Sequence, residues 1–478
     1  MRLPLHAVFL ATAAISACRP QPPAQAHAAG ASLWLSTAYE QHGARHQFAR
    51  IPLQPGAADT AHTDAVIAVD TTAVYQPIEG FGAALTGSSA WLLMQMEPAR
   101  RQALLRELFV PDSNGLGISY LRLCIGASDF SAQGDYTYND LPPGQTDPEL
   151  AQFSLAKDAQ DVIPVLKEIL ALAPDLNLMA TPWSPPAWMK TSGRMAGGSL
   201  KPEWYSTYAR YLVRYVQEMQ AEGIHIQTIT PQNEPLHGSA AYPCMLMTAE
   251  EQRVFVRDHL GPAFQAAGLD TKIIVYDHNC DQPGYPLAIL GDPAAKAFVA
   301  GSAFHLYGGD ISAMRTVHEA HPDKGLYFTE QSGGSWAPNY GDNLRWYARN
   351  LIIGAPNHWS RTVLFWNLAL DPAHGPTNRG CSDCRGVITV NPDSGKIQRN
   401  EEYYALAHAA RFVRPGSVRI GSSGGSGTLL HTAYRTPAGQ TVLILLNDEA
   451  EPRRIAVRGG GQDLHAALPA HTLATVVW

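Results

Sequence analysis

Glu234 lies in the tripeptide Asn233-Glu234-Pro235, just after the apolar run Ile224 to Ile229, and a second carboxylate, Glu330, closes the run Leu326-Tyr327-Phe328-Thr329. Taking an unpaired carboxylate out of water is costly, so two of them at the ends of strand-like segments point to chemistry more than to stability. Two convergent carboxylates are the minimum equipment for hydrolysing a glycosidic bond, one to attack or activate and one to move the proton.

Whether the two meet depends on the elements around them. Short apolar runs alternate with amphipathic stretches, and the predicted strands are Gly80-Thr86, Ser119-Gly126, Asn177-Trp183, Ile226-Glu234, Lys272-His278, Gly301-Tyr307, Gly325-Gln331 and Ser360-Leu368. Between them, Lys157 to Leu172 sets Val162, Val165, Leu166, Ile169 and Leu172 on one helical face, and Trp204 to Met219 does the same with Tyr208, Tyr211, Leu212, Tyr215 and Met219. Pro174 and Pro262 punctuate helix ends. Strands apolar enough to be covered on both faces fit a closed parallel (β/α)8 barrel, the TIM-barrel architecture of the α/β class, better than an open sheet. Such barrels carry their chemistry at the carboxyl ends of the strands. Glu234 ends the fourth predicted strand and Glu330 closes the seventh apolar run, so both face one rim.

A chain of 478 residues exceeds one barrel of ~250 residues. After Tyr403 the period changes to short β-rich runs, Ser417-Ile420, Leu429-Tyr434, Val442-Asn447, Arg454-Val457 and Thr472-Trp478, separated by Gly, Pro and Asp clusters. These predict an attached antiparallel β-sandwich. Strand-like runs at Ser32-Leu33-Trp34-Leu35 and Ala65-Val66-Ile67-Ala68-Val69 precede the barrel and can complete the same sandwich. The expected division is therefore sandwich strands in 31–77, a catalytic barrel over 78–402 and the rest of the sandwich over 403–478.

Arg2, the apolar stretch Ala7 to Ile15 and the small residues before Cys18 predict a lipoprotein-type export signal over 1–18, with Cys18 as the lipidated residue. Residues 19–30, rich in Pro, Ala and Gln, predict a flexible tether. The expected location is periplasmic, outer-membrane-anchored or secreted, with the lipid as the sole membrane contact. A net charge of −7 argues against nucleic acid as the main partner. Of the other cysteines, Cys124 reads as a small buried core residue, while Cys381-Ser382-Asp383-Cys384 fits a local disulfide, a zinc half-site or a redox pair. In an exported chain the loop-stapling disulfide is the favoured reading. The cluster Asp277-His278-Asn279-Cys280-Asp281 has metal-ligand types, but neighbours along a strand alternate faces and cannot all reach one ion. It reads as a hydrogen-bonded rim.

In order, Gly80-Phe81-Gly82-Ala83-Ala84-Leu85-Thr86, Tyr120-Leu121-Arg122, Ser128-Asp129-Phe130-Ser131, Thr181-Pro182-Trp183-Ser184-Pro185-Pro186, Asn233-Glu234-Pro235, His305-Leu306-Tyr307, Thr329-Glu330 and Trp366-Asn367-Leu368-Ala369-Leu370 resemble glycoside hydrolase family 30, in its glucosylceramidase branch and of bacterial type. The resemblance implies a barrel with an attached sandwich, retention of anomeric configuration, and no metal or organic cofactor. It gives Glu234 as acid/base and Glu330 as nucleophile. It also implies that Asn233 contacts the sugar 2-hydroxyl, that Asp129 and Trp183 bind remote hydroxyls, that Trp366 lines the pocket base, that Tyr307 orients the nucleophile, and that His305 and Asn378 belong to the substrate-binding set. Leu306, Gln331 and the loop Gly380 to Gly386 depart from the lysosomal pattern at the pocket edge. The expected activity is therefore that of a retaining β-glucosidase of glucosylceramidase type, acting on a glycolipid or oligosaccharide, with an endo-β-1,6-glucanase as the alternative. Outside that class stand a catalytically inactive carbohydrate-binding barrel and an envelope redox or zinc protein using Cys381 and Cys384.

Overall fold

The structure, a computed structural model, describes residues 30–40, 45–53, 63–112 and 115–478. The expected export signal with Cys18, and the tether up to residue 29, lie outside the described residues.

Eight parallel strands close into a barrel: β1 (Gly80–Leu85), β2 (Tyr120–Ile125), β3 (Asn177–Pro182), β4 (Thr228–Ile229), β5 (Lys272–Asn279), β6 (Val299–His305), β7 (Gly325–Glu330) and β8 (Ser360–Phe365). Every residue of β1, β2 and β7 is buried, as strands covered by helices outside and packed side chains inside must be. Tyr120, Met179, Ile274, Ala303, Tyr327 and Leu364 fill the interior as a separate apolar plug. Strand β4 is shorter than its apolar run predicts. Only Thr228 and Ile229 pair with both neighbours, and the chain then leaves the ladder toward Glu234.

The helix predicted from Lys157 starts later, at Val162, because Asp161 has φ −145° and accepts the Val162 N–H as an N-cap. Its face Val162, Val165, Leu166 and Ile169 is buried as the spacing predicts. The second helix, Tyr205–Ala221, buries Tyr208, Tyr211, Leu212, Tyr215 and Met219. Each fully buried side chain of this size contributes ~1.5–3 kcal/mol, so these two stripes anchor the outer ring.

Nine strands form a second, folded sheet in the order 49–52, 32–37, 472–477, 441–447, 429–435, 418–424, 65–77, 453–459 and 462–468. The segment before the barrel thus supplies three strands to a sheet whose other six follow it. Strand Thr441–Asn447 is buried throughout. Leu443 and Leu445 face the sandwich interior, while Val442, Ile444 and Leu446 join the barrel's apolar cluster. That two-sided burial is why its sequence is apolar without alternation. A helix, Glu401–Ala410, spans the expected change of period at residue 403, and its His408 bridges Ser36 and Thr475 of the sandwich at 2.9 Å each. The regular change to strands therefore begins after that helix, with Val418. Among the described residues no helix is long and apolar enough to cross a membrane.

Candidate active site

Glu330 is the last residue of β7, and Glu234 follows the short β4 in a left-handed backbone conformation with φ +44°. A non-glycine residue held there costs ~1–3 kcal/mol unless the surroundings impose it. Here they do: the Glu234 N–H donates to the Asp277 carbonyl at 3.0 Å, and the Asn233 N–H to the Pro182 carbonyl at 2.8 Å. Those bonds tie the end of β4 to β3 and β5 and turn the Glu234 side chain over the barrel mouth. Carboxylate oxygens of Glu234 and Glu330 come within 4.8 Å of each other.

Beneath them lies a buried network. Arg122, in the middle of β2, donates to Glu330 Oε2 at 2.5 Å, to Asn233 Oδ1 at 2.7 Å and to Asp277 Oδ2 at 2.9 Å. Asp277 also accepts from Thr181, Thr230 and Thr329. Although burial opposes its charge, Arg122 and His305 hold the Asp277 carboxyl far below the usual carboxylate range. His305 joins Asp277 Oδ1 and Glu234 Oε1 through its two ring nitrogens, each at 3.1 Å. Burial disfavours its cation, yet Glu330, Asp277 and Glu234 together raise His305 to about 9. The Tyr307 hydroxyl donates to Glu330 Oε1 at 3.0 Å.

These contacts divide the roles of the two carboxyls. Burial and the neighbouring Glu234 charge push Glu330 upward, while His305 and Arg122 pull against them. The cations Arg122 and His305 balance two anions, Asp277 and one more. Glu330 has the better claim on that charge, because it accepts from a guanidinium and a phenol whereas, among the described residues, the Glu234 side chain accepts from His305 alone. Burial pushes Glu234 up as well, while its bond to the His305 cation pulls it below its ordinary value, so it is the hydrogen bonds, and not the surrounding charges, that favour Glu234 as the carrier of a single shared proton. Glu234, His305 and Glu330 also lie close enough to offer three ligand atoms to a cation. Both His305 ring nitrogens are already engaged with carboxylate oxygens, at 3.1 Å each.

Above the network, Asp129, Trp183, Asn233, Glu234, His237, Tyr242, Cys244, Glu330 and Trp366 line a narrow pocket of about 40 Å³. The Trp183 and Trp366 rings stack at 5.0 Å and form an aromatic floor against Arg122. Asp129 Oδ1 is buried with no hydrogen-bond partner, and burial, then the charges of Glu330 and Glu234, push the Asp129 carboxyl well above its ordinary value. An orphaned polar atom facing a cavity is a place for a ligand group.

Residues 78–413 match the Glycosyl hydrolase family 30 TIM-barrel domain, and 416–476 match the Glycosyl hydrolase family 30 beta sandwich domain. The chain belongs to glycosyl hydrolase family 30. Among proteins similar to this family 30 hydrolase, the endo-1,6-beta-D-glucanase of Neurospora crassa is 35% identical over 78% of this chain and 79% of its own length. The lysosomal acid glucosylceramidase of Mus musculus is 30% identical over 90% of this chain and 87% of its own. A solved endo-beta1,6-glucanase superposes with a TM-score of 0.86 at 34% identity, covering 94% of this chain and all but 1% of that one, 99%.

The family 30 site brings together Glu234, Glu330, Asn233, Asp129, Trp183 and Trp366 around one pocket. Two expected substrate-binding residues fall elsewhere. Asn378 does not line it: its amide donates to the Ser128 carbonyl and to Asp135, and its N–H to the Asp129 carbonyl, so it holds the Asp129 loop in place. His305 is fully buried under the carboxylates, with both nitrogens committed to them. Tyr307 touches Glu330 from an exposed position on the rim. The expectation that Asp277 belongs to a rim is corrected, since it is fully buried at the centre of the network. Arg122 appeared in a motif without a role, although a cation inside the apolar run Tyr120 to Ile125 was itself a signal. His237, Tyr242 and Cys244 carried no such signal. Cys381 and Cys384 form a disulfide, and Cys124 is buried.

Proposed function

We propose that this family 30 hydrolase cleaves β-1,6-linked glucan with retention of anomeric configuration. The observation that carries retention is the approach of the two carboxylates to within 4.8 Å, in keeping with the ~5–5.5 Å of retaining enzymes and short of the ~6.5–9.5 Å that leaves room for an attacking water. The glucan reading rests on relatives at 35% identity and on the solved glucanase at TM-score 0.86, which together favour it over the glucosylceramidase reading.

In the first half-reaction Glu330 attacks the anomeric carbon as the bond to the departing oxygen breaks, and Glu234 gives that oxygen its proton. Esterification removes the Glu330 charge, which leaves Arg122 and His305 facing Asp277 alone and so favours the ionised form of Glu234. Ionised Glu234 then takes a proton from water as the water attacks the same carbon and releases Glu330. Asn233, with its oxygen bound to Arg122, turns its amide nitrogen to the sugar 2-hydroxyl, and Asp129 accepts from a remote hydroxyl on the Trp183 and Trp366 floor. We infer as well that the protein is exported and lipidated at Cys18; unchanged membrane fractionation of Cys18→Ser would remove that claim.

Product analysis against β-1,6-glucan, glucosylceramide and xylan tests the substrate. The expected result is gentio-oligosaccharide release from the first alone. Ceramide release as the dominant activity would instead favour the glycolipid reading, which the 30% identity to the mouse enzyme supports.

A further inference from the structure

A second cleft, of about 350 Å³, lies at the junction of barrel and sandwich and is lined by Tyr75, Arg315, Asn357, Trp359, Arg419, Ser422 and His431. Trp359 immediately precedes the first residue of β8, so the cleft opens beside the amino-terminal start of that strand. The catalytic carboxylates stand at the opposite strand ends, and no residue of their pocket lines this one.

Two guanidiniums line this cleft, with the carboxylates of Asp310 and Glu319 near His358 and His318 and not paired to either arginine among the described residues. The Arg419 guanidinium lies 3.9 Å from the Tyr75 ring centroid and 5.4 Å from that of Trp359, and its Nε donates to Gln76 Oε1 at 3.0 Å. Its two Nη groups have no hydrogen-bond partner among the described residues. Arg315 is exposed and makes two long contacts of 3.4 Å, to His358 Nδ1 and the Asn357 carbonyl. Neither arginine makes an ion pair among the described residues. The nearby Asp310 caps the Ser312 N–H, and Arg361, the third arginine in the area, is paired with Glu79. Burial disfavours the Arg419 cation and the Arg315 charge adds to that, so the pair is held together by the fold against its own repulsion.

The aromatic faces are already covered. His318 stacks on Trp359 with centroids 3.7 Å apart, and Arg419 covers Tyr75. What the cleft offers is therefore N–H donors, two forks of them, which match oxyanions better than neutral sugar hydroxyls. We propose that the junction cleft is a second binding site, taking a phosphate or carboxylate group between Arg315 and Arg419. The anion bridges helix Ala313–Ala320 of the barrel and strand Val418–Gly424 of the sandwich, and its source is either a phosphorylated or a uronic-acid-bearing glycan.

Calorimetric titration of the full chain with inorganic phosphate, with glucuronate and with chloride at equal ionic strength tests this. Saturable binding of phosphate or glucuronate is expected, weakened tenfold or more in Arg315→Gln and in Arg419→Gln, with aryl β-glucoside turnover unchanged in Arg315→Gln. Binding confined to phosphate assigns a phosphorylated ligand, and binding confined to glucuronate assigns an acidic sugar. If neither anion exceeds chloride, or if both variants bind like the parent, the site does not exist. Glucuronate binding that persists in the variants belongs to the catalytic pocket and counts against the proposal.

Discussion

Arg122 Nη1 donates to Glu330 Oε2 at 2.5 Å across 208 residues of sequence, and both side chains are withdrawn from solvent, at 0% and 7% exposure. Glu330 is thus oriented from three strands away around the barrel by a fully buried residue.

Glu330→Gln is expected to lower turnover of an aryl β-glucoside by ~10⁴-fold or more with an unchanged fold, since no other side chain can form the glycosyl ester. Azide should restore Glu330→Gly with an inverted product. Comparable rates in Glu330→Gln and the parent would refute the nucleophile assignment.

Arg122→Met removes the cation that serves Glu330, Asn233 and Asp277 and strands Asp277 as a buried charge. A loss of ~3–5 kcal/mol in unfolding free energy is expected, measured by denaturant titration. Arg122→Lys keeps the charge but cannot reach three acceptors with one fork, so the expected outcome is retained folding with kcat reduced ~10²-fold or more and KM little changed. A Lys variant with parental kcat would show that the fork geometry has no part in orienting Glu330.

His305 has its value raised from 6.5 to about 9, so its contribution to stability is fully present below pH 6.5 and is lost as pH rises through about 9. The parent is expected to lose on the order of 3 kcal/mol across that window from this group, by the ~1.4 kcal/mol carried per pKa unit. Thermal melts of His305→Gln should be flatter over the same range. Equal slopes for parent and variant would mean that His305 is neutral in the folded protein.

Asp129→Asn removes an orphaned carboxyl that burial already drives toward its neutral form. Relief of that desolvation should raise stability by ~1–3 kcal/mol at pH 8, where the parent's unfolded state is ionised at this position. The same change should cut kcat/KM on glucosides by ~10²-fold or more, because the amide cannot replace the hydroxyl acceptor with the same geometry. Melting temperature and kcat/KM moving in the same direction would contradict a substrate-binding Asp129. A Cβ at Gly380 would come within 2.3 Å of the Asp129 Cβ, so Gly380→Ala should displace this wall as well.

Much of the site was legible because barrel chemistry gathers at strand ends and because carboxylates inside apolar runs are expensive. Glu234 and Glu330 met both conditions, and Trp183 and Trp366 lie just beyond the ends of strands. Asn378 misled because its side chain turns away to hold the loop carrying Asp129, which only the loop's folded path reveals. Helix Glu401–Ala410 was read into the sandwich because its approach to both layers makes it buried on nearly all sides, erasing the stripe that marks a surface helix.

The chain by itself determined the alternation of apolar strand and amphipathic helix, and with it the barrel, the sandwich and the rim on which two acids stand. Period and burial are local properties, so local sequence carries them. Tertiary structure alone decided that Arg122, Asp277 and His305 lie under those acids as one charge-balanced cluster. Coulomb forces and hydrogen bonds depend on separation in space, and residues from β2, β5 and β6 come within bonding distance only when the barrel closes.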